Sequence, residues 1–318
     1  MRALVTGADG FAGQWLVKAL LRDGDEVAGL SRAVTPSLTT LDQKSAAAVQ
    51  WLAADIRDGV ALGQALRTVR PDVIYHLAGQ ASVRASFEDP IDTLTTNALG
   101  TAALLEAART ETPGATLLAV GSAEAYGAVD PAKLPLREDA PLVPNNPYAA
   151  SKAAAEMMAL QYARAGWLNV VATRSFNHTG PGQSTAFAVA AFAKQFADMR
   201  KGKSPAVLAV GNLTPRRDFL DVRDVVAAYR LLARKGTSGK AYNVSSGHAI
   251  SMREVVDDLS HLSGAAVEIR EDPALVRAVD TPMIVGDAGA LRSDTGWQAT
   301  IPWLRTLQDL YEWFLGQA

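Results

Sequence analysis

A doubly wound parallel α/β sheet is the fold this sequence predicts, and three observations predict it. The first is a glycine-rich turn near residue 7, where strand-like Ala3–Thr6 runs into Gly7-Ala-Asp-Gly10-Phe-Ala-Gly13 and then a helical stretch, Gln14 to Arg22. The second is an alternation of short apolar runs with helical stretches as far as Ser175, the pattern of a parallel sheet covered on both faces. The third is a Tyr148-x-x-x-Lys152 pair that follows an apolar run, Leu117 to Val120, ending in Gly121-Ser122. Open α/β sheets take their ligands at the carboxyl ends of strands, and Ser122 stands at such an end.

Each element has its own warrant. The Gly-x-x-Gly-x-x-Gly spacing allows a tight turn and close approach of backbone to a pyrophosphate seated on the helix amino terminus. Gly7, Gly10, Phe11 and Gly13 are therefore the first candidate cofactor-binding residues. Glu26 to Leu30 reads as the second strand, followed by Ser31-Arg32. An acidic residue there would grip a ribose 2′-hydroxyl, whereas arginine accommodates a 2′-phosphate. No Asp or Glu follows this strand, so Arg32 directs the expectation to NADP(H), with NAD(H) as the alternative. Asp55-Ile56, after a third strand-like piece at Val49–Leu52, is expected to cover the adenine. The fourth strand, from Val73, closes on Leu77-Ala78-Gly79, whose small end suits either a cofactor or tight packing.

Asp92 to Ala108 reads as one long helix containing Asn97, and Pro147 to about Ala165 as a second. Four residues make about one helical turn, so Tyr148 and Lys152 share a face. An ammonium beside a phenol is expected to lower the tyrosine pKa and equip it for acid–base work. Taken alone, that spacing more often marks a half-buried tyrosine and a solvated lysine. Gly121-Ser122 and the amino-terminal turn favour chemistry. After a strand at Trp167–Arg174 the pattern changes, and no repeat, low-complexity segment or long linker interrupts the chain. Two interleaved units are expected: a dinucleotide-binding domain over residues 1–176 with about 217–246, and a smaller α/β substrate-binding domain over about 177–216 and 247–318.

Composition narrows the classes. The 318 residues are 48% hydrophobic and 20% charged, with a formal charge of −2, giving no basic field for nucleic acid and no polybasic membrane patch. There is no cysteine, and the four histidines lack metal-ligand spacing, so no metal is expected. Met1-Arg2 runs straight into strand, and no apolar run reaches the roughly eighteen residues of a membrane span. These features lead to an expectation of a cytoplasmic protein.

Together these residues resemble the extended short-chain dehydrogenase/reductase family over essentially the whole chain. The matching features are Gly7-x-x-Gly10-x-x-Gly13, Asp55, Ser122 four residues before Tyr126-Gly127, Tyr148-x-x-x-Lys152 and Arg217-Asp218-Phe219. Phe176 to Gln183 and Gly211 to Phe219 look like the GDP-6-deoxy-4-keto-mannose reductases within that family. Those enzymes reduce the C4 ketone of a GDP-sugar to give GDP-rhamnose. The resemblance implies a Rossmann-type fold, Tyr148 as proton donor, Lys152 on the nicotinamide ribose and Ser122 hydrogen-bonded to the reacting oxygen. It also implies that Asn177, Arg217 and Arg277 hold the nucleotide diphosphate and that the protein is a homodimer. Glu124 keeps a sugar-nucleotide 4,6-dehydratase in view, with that carboxylate as base, although Ala123 stands where such enzymes carry an acid. A 4-epimerase and a non-catalytic dinucleotide sensor are the remaining readings.

Overall fold

The computed structural model describes residues 1–33, 36–275 and 281–317. Its strands are, in chain order, β1 (Arg2–Thr6), β2 (Glu26–Ser31), β3 (Gln50–Ala53), β4 (Val73–His76), β5 (Thr116–Ser122), β6 (Asn169–Ser175) and β7 (Asn177–Thr179). Then come β8 (Val207–Val210), β9 (Arg216–Asp221), β10 (Ala241–Val244), β11 (Ala249–Ser251), β12 (Glu268–Glu271) and β13 (Met283–Ile284). The main sheet has the order β10-β6-β5-β4-β1-β2-β3, and all six of its pairings are parallel. Strand order turns back between β1 and β4, so the carboxyl ends of those strands open a crevice. Both faces of this sheet are covered, which is why its strands read as apolar runs rather than alternating ones.

The helices are α1 (Phe11–Arg22), α2 (Gln43–Ala47), α3 (Gly59–Val69), α4 (Val83–Glu88), α5 (Pro90–Leu94) and α6 (Gly100–Glu111). They continue as α7 (Pro147–Arg164), α8 (Ala188–Arg200), α9 (Val222–Lys235), α10 (Met252–Ser263), α11 (Gly289–Thr295) and α12 (Trp303–Gly316). One core joins the main sheet to α1 and α9 through Leu16, Leu20, Val225 and Tyr229. A second lies on the other face and buries Leu62, Leu66, Leu104 and Ala159.

The single helix expected over Asp92–Ala108 is interrupted. α5 and α6 are joined by a π turn, Thr95–Leu99, with Asn97 buried inside it. One extra residue per turn shifts the helix face locally, and small, apolar-rich sequence on both sides gives no sign of it.

Beyond β6 the chain builds a second sheet, in which β9 pairs with β7 and β13 in parallel and with β11 antiparallel. β8 and β12 form a separate parallel pair. α8, α10 and α12 cover these strands around Phe196, Val255, Leu259 and Leu310. Asp221 caps α9 by accepting from the Arg223 N–H, and Ser251 with Glu254 forms a capping box on α10. The chain then crosses between the sheets: α9 packs on the main one and β10 joins its edge.

A buried polar network holds the loop after β5. Arg174 on β6 makes paired bonds to the Glu156 carboxylate of α7, at 2.8 and 3.0 Å. Its other nitrogen donates to Tyr126 Oη and to the Glu138 carbonyl, both at 2.9 Å. Tyr126 in turn donates to Asn243 Oδ1 at 2.7 Å. Arg174, Glu156, Tyr126 and Asn243 are all nearly inaccessible. Such a network is stable only because each member is partnered. Its effect is to lock α7 against β5 and β6. Among the described residues, no helix is long and apolar enough to cross a membrane.

Candidate active site

The glycine turn between β1 and α1 is shaped by close backbone contact. Gly7 has φ +68°, and a Cβ on it would stand 2.9 Å from the backbone of Ala78. A Cβ on Gly13 would overlap the Gly7 carbonyl. Gly10 begins α1 without any side-chain cap, so the first N–H groups of the helix face the crevice. This cradle fits a dinucleotide phosphate, with Gly7, Gly10 and Gly13 as the residues that would hold it. Phe11 lies beside it, its ring 6.2 Å from His178 and nearly parallel to it.

Around the turn, the expected cofactor residues divide. Arg32 is exposed after β2. Asp55 is paired with Arg57 through bonds of 2.9 and 2.7 Å. Its pKa falls to about 2, first through hydrogen bonds from Arg57 and to a smaller extent through the charge of Arg32. Ile56 behaves differently, since its side chain is buried in the second core against Gly100. The Ile56 side chain therefore fixes this segment against the second core. Leu77 and Ala78 are half-buried, and the Ala78 N–H donates to Thr6 Oγ1 at 3.1 Å. Gly79 is needed for proximity: a Cβ there would stand 2.8 Å from Asn97 Oδ1 and 3.5 Å from Lys152 Nζ.

Asn97 was placed by sequence on a helix with no particular task. The π turn aims its amide inward, where Oδ1 accepts from the Gln80 N–H at 2.8 Å and Nδ2 donates to Ser151 Oγ at 2.9 Å. It thereby ties the end of β4 to α7, one residue from Lys152. His76 is a second group that sequence reading missed. It is buried between the hydroxyls of Thr6 and Thr101, each at 2.9 Å. Burial lowers its pKa to about 3, so it is a neutral spacer beneath Lys152. No motif signals either role, because both depend on contacts between distant segments.

Tyr148 and Lys152 do share a face of α7, as the spacing predicts. Burial is the largest influence on the phenol. Tyr148 is 8% exposed, and burial pushes its pKa up to about 12, with the Glu124 charge adding to the rise and a hydrogen bond with Ser122 opposing it. Lys152 donates to the Val120 carbonyl at 3.1 Å, and burial pulls its pKa down to about 8. Desolvation favours the uncharged form of each group. At neutral pH the phenol is protonated and the lysine is still mainly an ammonium. Ser122 is 9% exposed and begins a short 3₁₀ turn by accepting from the Glu124 N–H at 3.2 Å. Glu124 is half-exposed, and its charge adds to the rise of the phenol's pKa.

The expected diphosphate residues are less uniform. Asn177 is exposed at the start of β7. Arg217 is 6% exposed, and its guanidinium donates to the carbonyls of Arg216 and Thr281 at 2.9 and 2.7 Å. Arg277 lies outside the described residues. The structure thus gathers Ser122, Glu124, Tyr148 and Lys152, and gathers the glycine turn with Ala78 and Gly79. It holds Arg217 against backbone.

Comparison with known proteins follows the same lines. Residues 4–310 match the family model described as GDP-mannose 4,6 dehydratase. GDP-6-deoxy-D-mannose reductase of Pseudomonas aeruginosa is 41% identical over 232 residues, 73% of this chain and 76% of that protein. UDP-glucose 4-epimerase of Mycolicibacterium smegmatis is 32% identical over 318 residues, 99% of this chain and 98% of that one. Among solved structures, RMD from Pseudomonas aeruginosa complexed with NADPH superposes with a TM-score of 0.87 at 34% identity, covering 99% of both chains. The Thermus thermophilus UDP-glucose 4-epimerase complex with NAD gives 0.88 at 32% identity over 100% of both.

The balance of charge at Tyr148 and Lys152 can be read directly. In protein carrying ¹³C-methylated lysines, one NMR signal is expected to titrate with a midpoint near pH 8 and to be missing from a Lys152→Arg variant. If every lysine titrated at the ordinary value of about 10.4, burial would not govern the site.

Proposed function

The chain belongs to the GDP-mannose 4,6-dehydratase family of extended short-chain dehydrogenases, and within it we propose an NADPH-dependent reductase that converts GDP-4-keto-6-deoxy-mannose to GDP-rhamnose. The observation that carries the reading is the buried Tyr148 phenol, hydrogen-bonded to Ser122 at the crevice and one helical turn from Lys152. Reduction of a ketone needs an acid at the oxygen, and a phenol held at a pKa of about 12 keeps its proton until negative charge develops next to it. The bound nicotinamide would supply the hydride to C4. Tyr148 gives its proton to the C4 oxygen, and the Ser122 hydroxyl donates a hydrogen bond to the same oxygen as its charge grows. The Lys152 ammonium binds the nicotinamide ribose. The cofactor is NADP(H), with NAD(H) as a weaker substitute, and the likeness to a reductase with GDP-sugar chemistry supports the substrate.

The labour divides between residues 1–176 with 217–246, which hold the cofactor, and 177–216 with 247–318, which hold the GDP-sugar through Asn177 and Arg277, joined by Arg217 from the border of the two. A cytoplasmic setting goes with a reaction that consumes a reduced nicotinamide and a nucleotide sugar. Self-association is part of the proposal: Ile91, Leu94, Leu99 and Met157 are 71, 44, 57 and 64% exposed on neighbouring helices α5 to α7. Apolar side chains gathered in this way mark contact surfaces.

Glu124 favours a second reading, a 4,6-dehydratase, because its charge reaches the phenol. In that enzyme Glu124 would be an obligatory base. In the reductase it orders the loop after β5.

Tyr148→Phe is expected to lower kcat for the keto sugar by about 10²–10⁴ while leaving NADPH binding intact. Full turnover in that variant would remove the assigned acid. Glu124→Gln separates the two readings. A reductase keeps most of its activity, whereas a dehydratase loses its conversion of GDP-mannose. For the homodimer, light scattering at micromolar concentration is expected to give twice the chain mass, and a Leu94→Lys/Met157→Lys double variant a single chain mass. A monomeric wild type contradicts it.

A further inference from the structure

No acidic residue follows β2 in sequence, yet the fold brings one there. Asp9 lies within the glycine turn, and the Ser31 hydroxyl at the end of β2 donates to its Oδ2 at 2.6 Å. Ser31 is 3% exposed and its oxygen accepts from the Ala33 N–H at 3.2 Å, so the carboxylate is fastened to the strand end. The backbone of the turn is held as well. Gln14 on α1 donates to the Asp9 carbonyl at 2.8 Å, and its Oε1 accepts from the Thr39 and Thr40 N–H groups at 2.8 and 2.9 Å. Gln14 is 2% exposed, and one buried amide thus joins the turn to the segment that follows β2. Arg32 is the next residue along, exposed to solvent. The end of β2 is where a dinucleotide's adenosine ribose carries its distinguishing group: a carboxylate there accepts from a 2′-hydroxyl, and an arginine accommodates a 2′-phosphate. This chain offers both, from different elements.

We propose that Asp9 is a specificity-determining residue for the dinucleotide. Its carboxylate accepts a hydrogen bond from the 2′-hydroxyl of NAD(H) and repels the 2′-phosphate of NADP(H). It acts against Arg32, so the preference for NADP(H) is graded and not absolute. The proposal rests on the reading that the glycine turn holds a nicotinamide dinucleotide, and not on the identity of the sugar.

The test is equilibrium binding of NADPH and of NADH to the full-length protein without any sugar nucleotide, followed by quenching of tryptophan fluorescence. Asp9→Asn keeps an oxygen that can accept from Ser31 and removes the charge. It is expected to tighten NADPH about tenfold and weaken NADH about threefold, and the gain for NADPH shrinks in high salt. Arg32→Ala is expected to weaken NADPH about tenfold and NADH less than about twofold. An Asp9→Asn protein whose NADPH/NADH affinity ratio stays within about twofold of wild type, or that weakens both alike, overturns the proposal and leaves Asp9 a brace of the turn. Failure of the wild type to bind either dinucleotide overturns it together with the cofactor reading. Binding shifts as expected in a protein that reduces no keto sugar would keep Asp9's role and reject the reductase.

Discussion

Removal of water from one face of α7 is the constraint on which the site depends. Tyr148 and Lys152 are one helical turn apart, and desolvation drives both toward their neutral forms, the phenol to about 12 and the amine to about 8. The two shifts are unequal in consequence. At neutral pH the phenol keeps its proton, while the lysine, donating to the Val120 carbonyl, keeps its charge. A protonated tyrosine next to a cation is arranged to give a proton to an oxygen that is gaining charge. Several neighbours serve this arrangement without touching it: Gly79 leaves room, Asn97 braces Ser151 beside Lys152, and His76 stays uncharged below.

The cofactor side and the sugar side are not independent surfaces. α1 begins at the glycine turn and also meets the segment from His178 to Gln183. Trp15 Nε1 donates to the Pro181 carbonyl at 3.0 Å, Phe11 stacks on His178, and Thr40 packs where a side chain on Gly182 would have to go. One helix therefore sets the position of the nucleotide cradle and of the first loop that leaves the main sheet. Rigid placement on a helix and strands, rather than on free loops, is what lets two half-sites meet with fixed geometry.

Much of this was legible in the chain itself. The main-sheet strands were readable because burial on both faces leaves uninterrupted apolar runs, and the glycine turn because only glycine permits those backbone approaches. What escaped depended on tertiary contacts. Spacing says that Tyr148 and Lys152 share a face but not that the face is dry. The π turn at Asn97, the inward turn of Ile56 and the burial of Arg217 arise from packing between segments far apart in sequence. Asp9 is the plainest case: the end of β2 has no carboxylate of its own, and one arrives from the preceding turn.

Within this family the same scaffold supports reductases, dehydratases and epimerases, as its relatives illustrate. The fold alone does not choose among them; the state of one phenolic proton and the direction of hydride flow do. The most direct measurement is therefore isotopic. Protein supplied with GDP-4-keto-6-deoxy-mannose and NADPH deuterated at the transferable position should yield a GDP-deoxyhexose carrying deuterium at C4, with one NADPH consumed for each product formed. Recovery of product without deuterium at C4, or conversion of GDP-mannose to a 4-keto sugar with no net consumption of NADPH, would contradict the account.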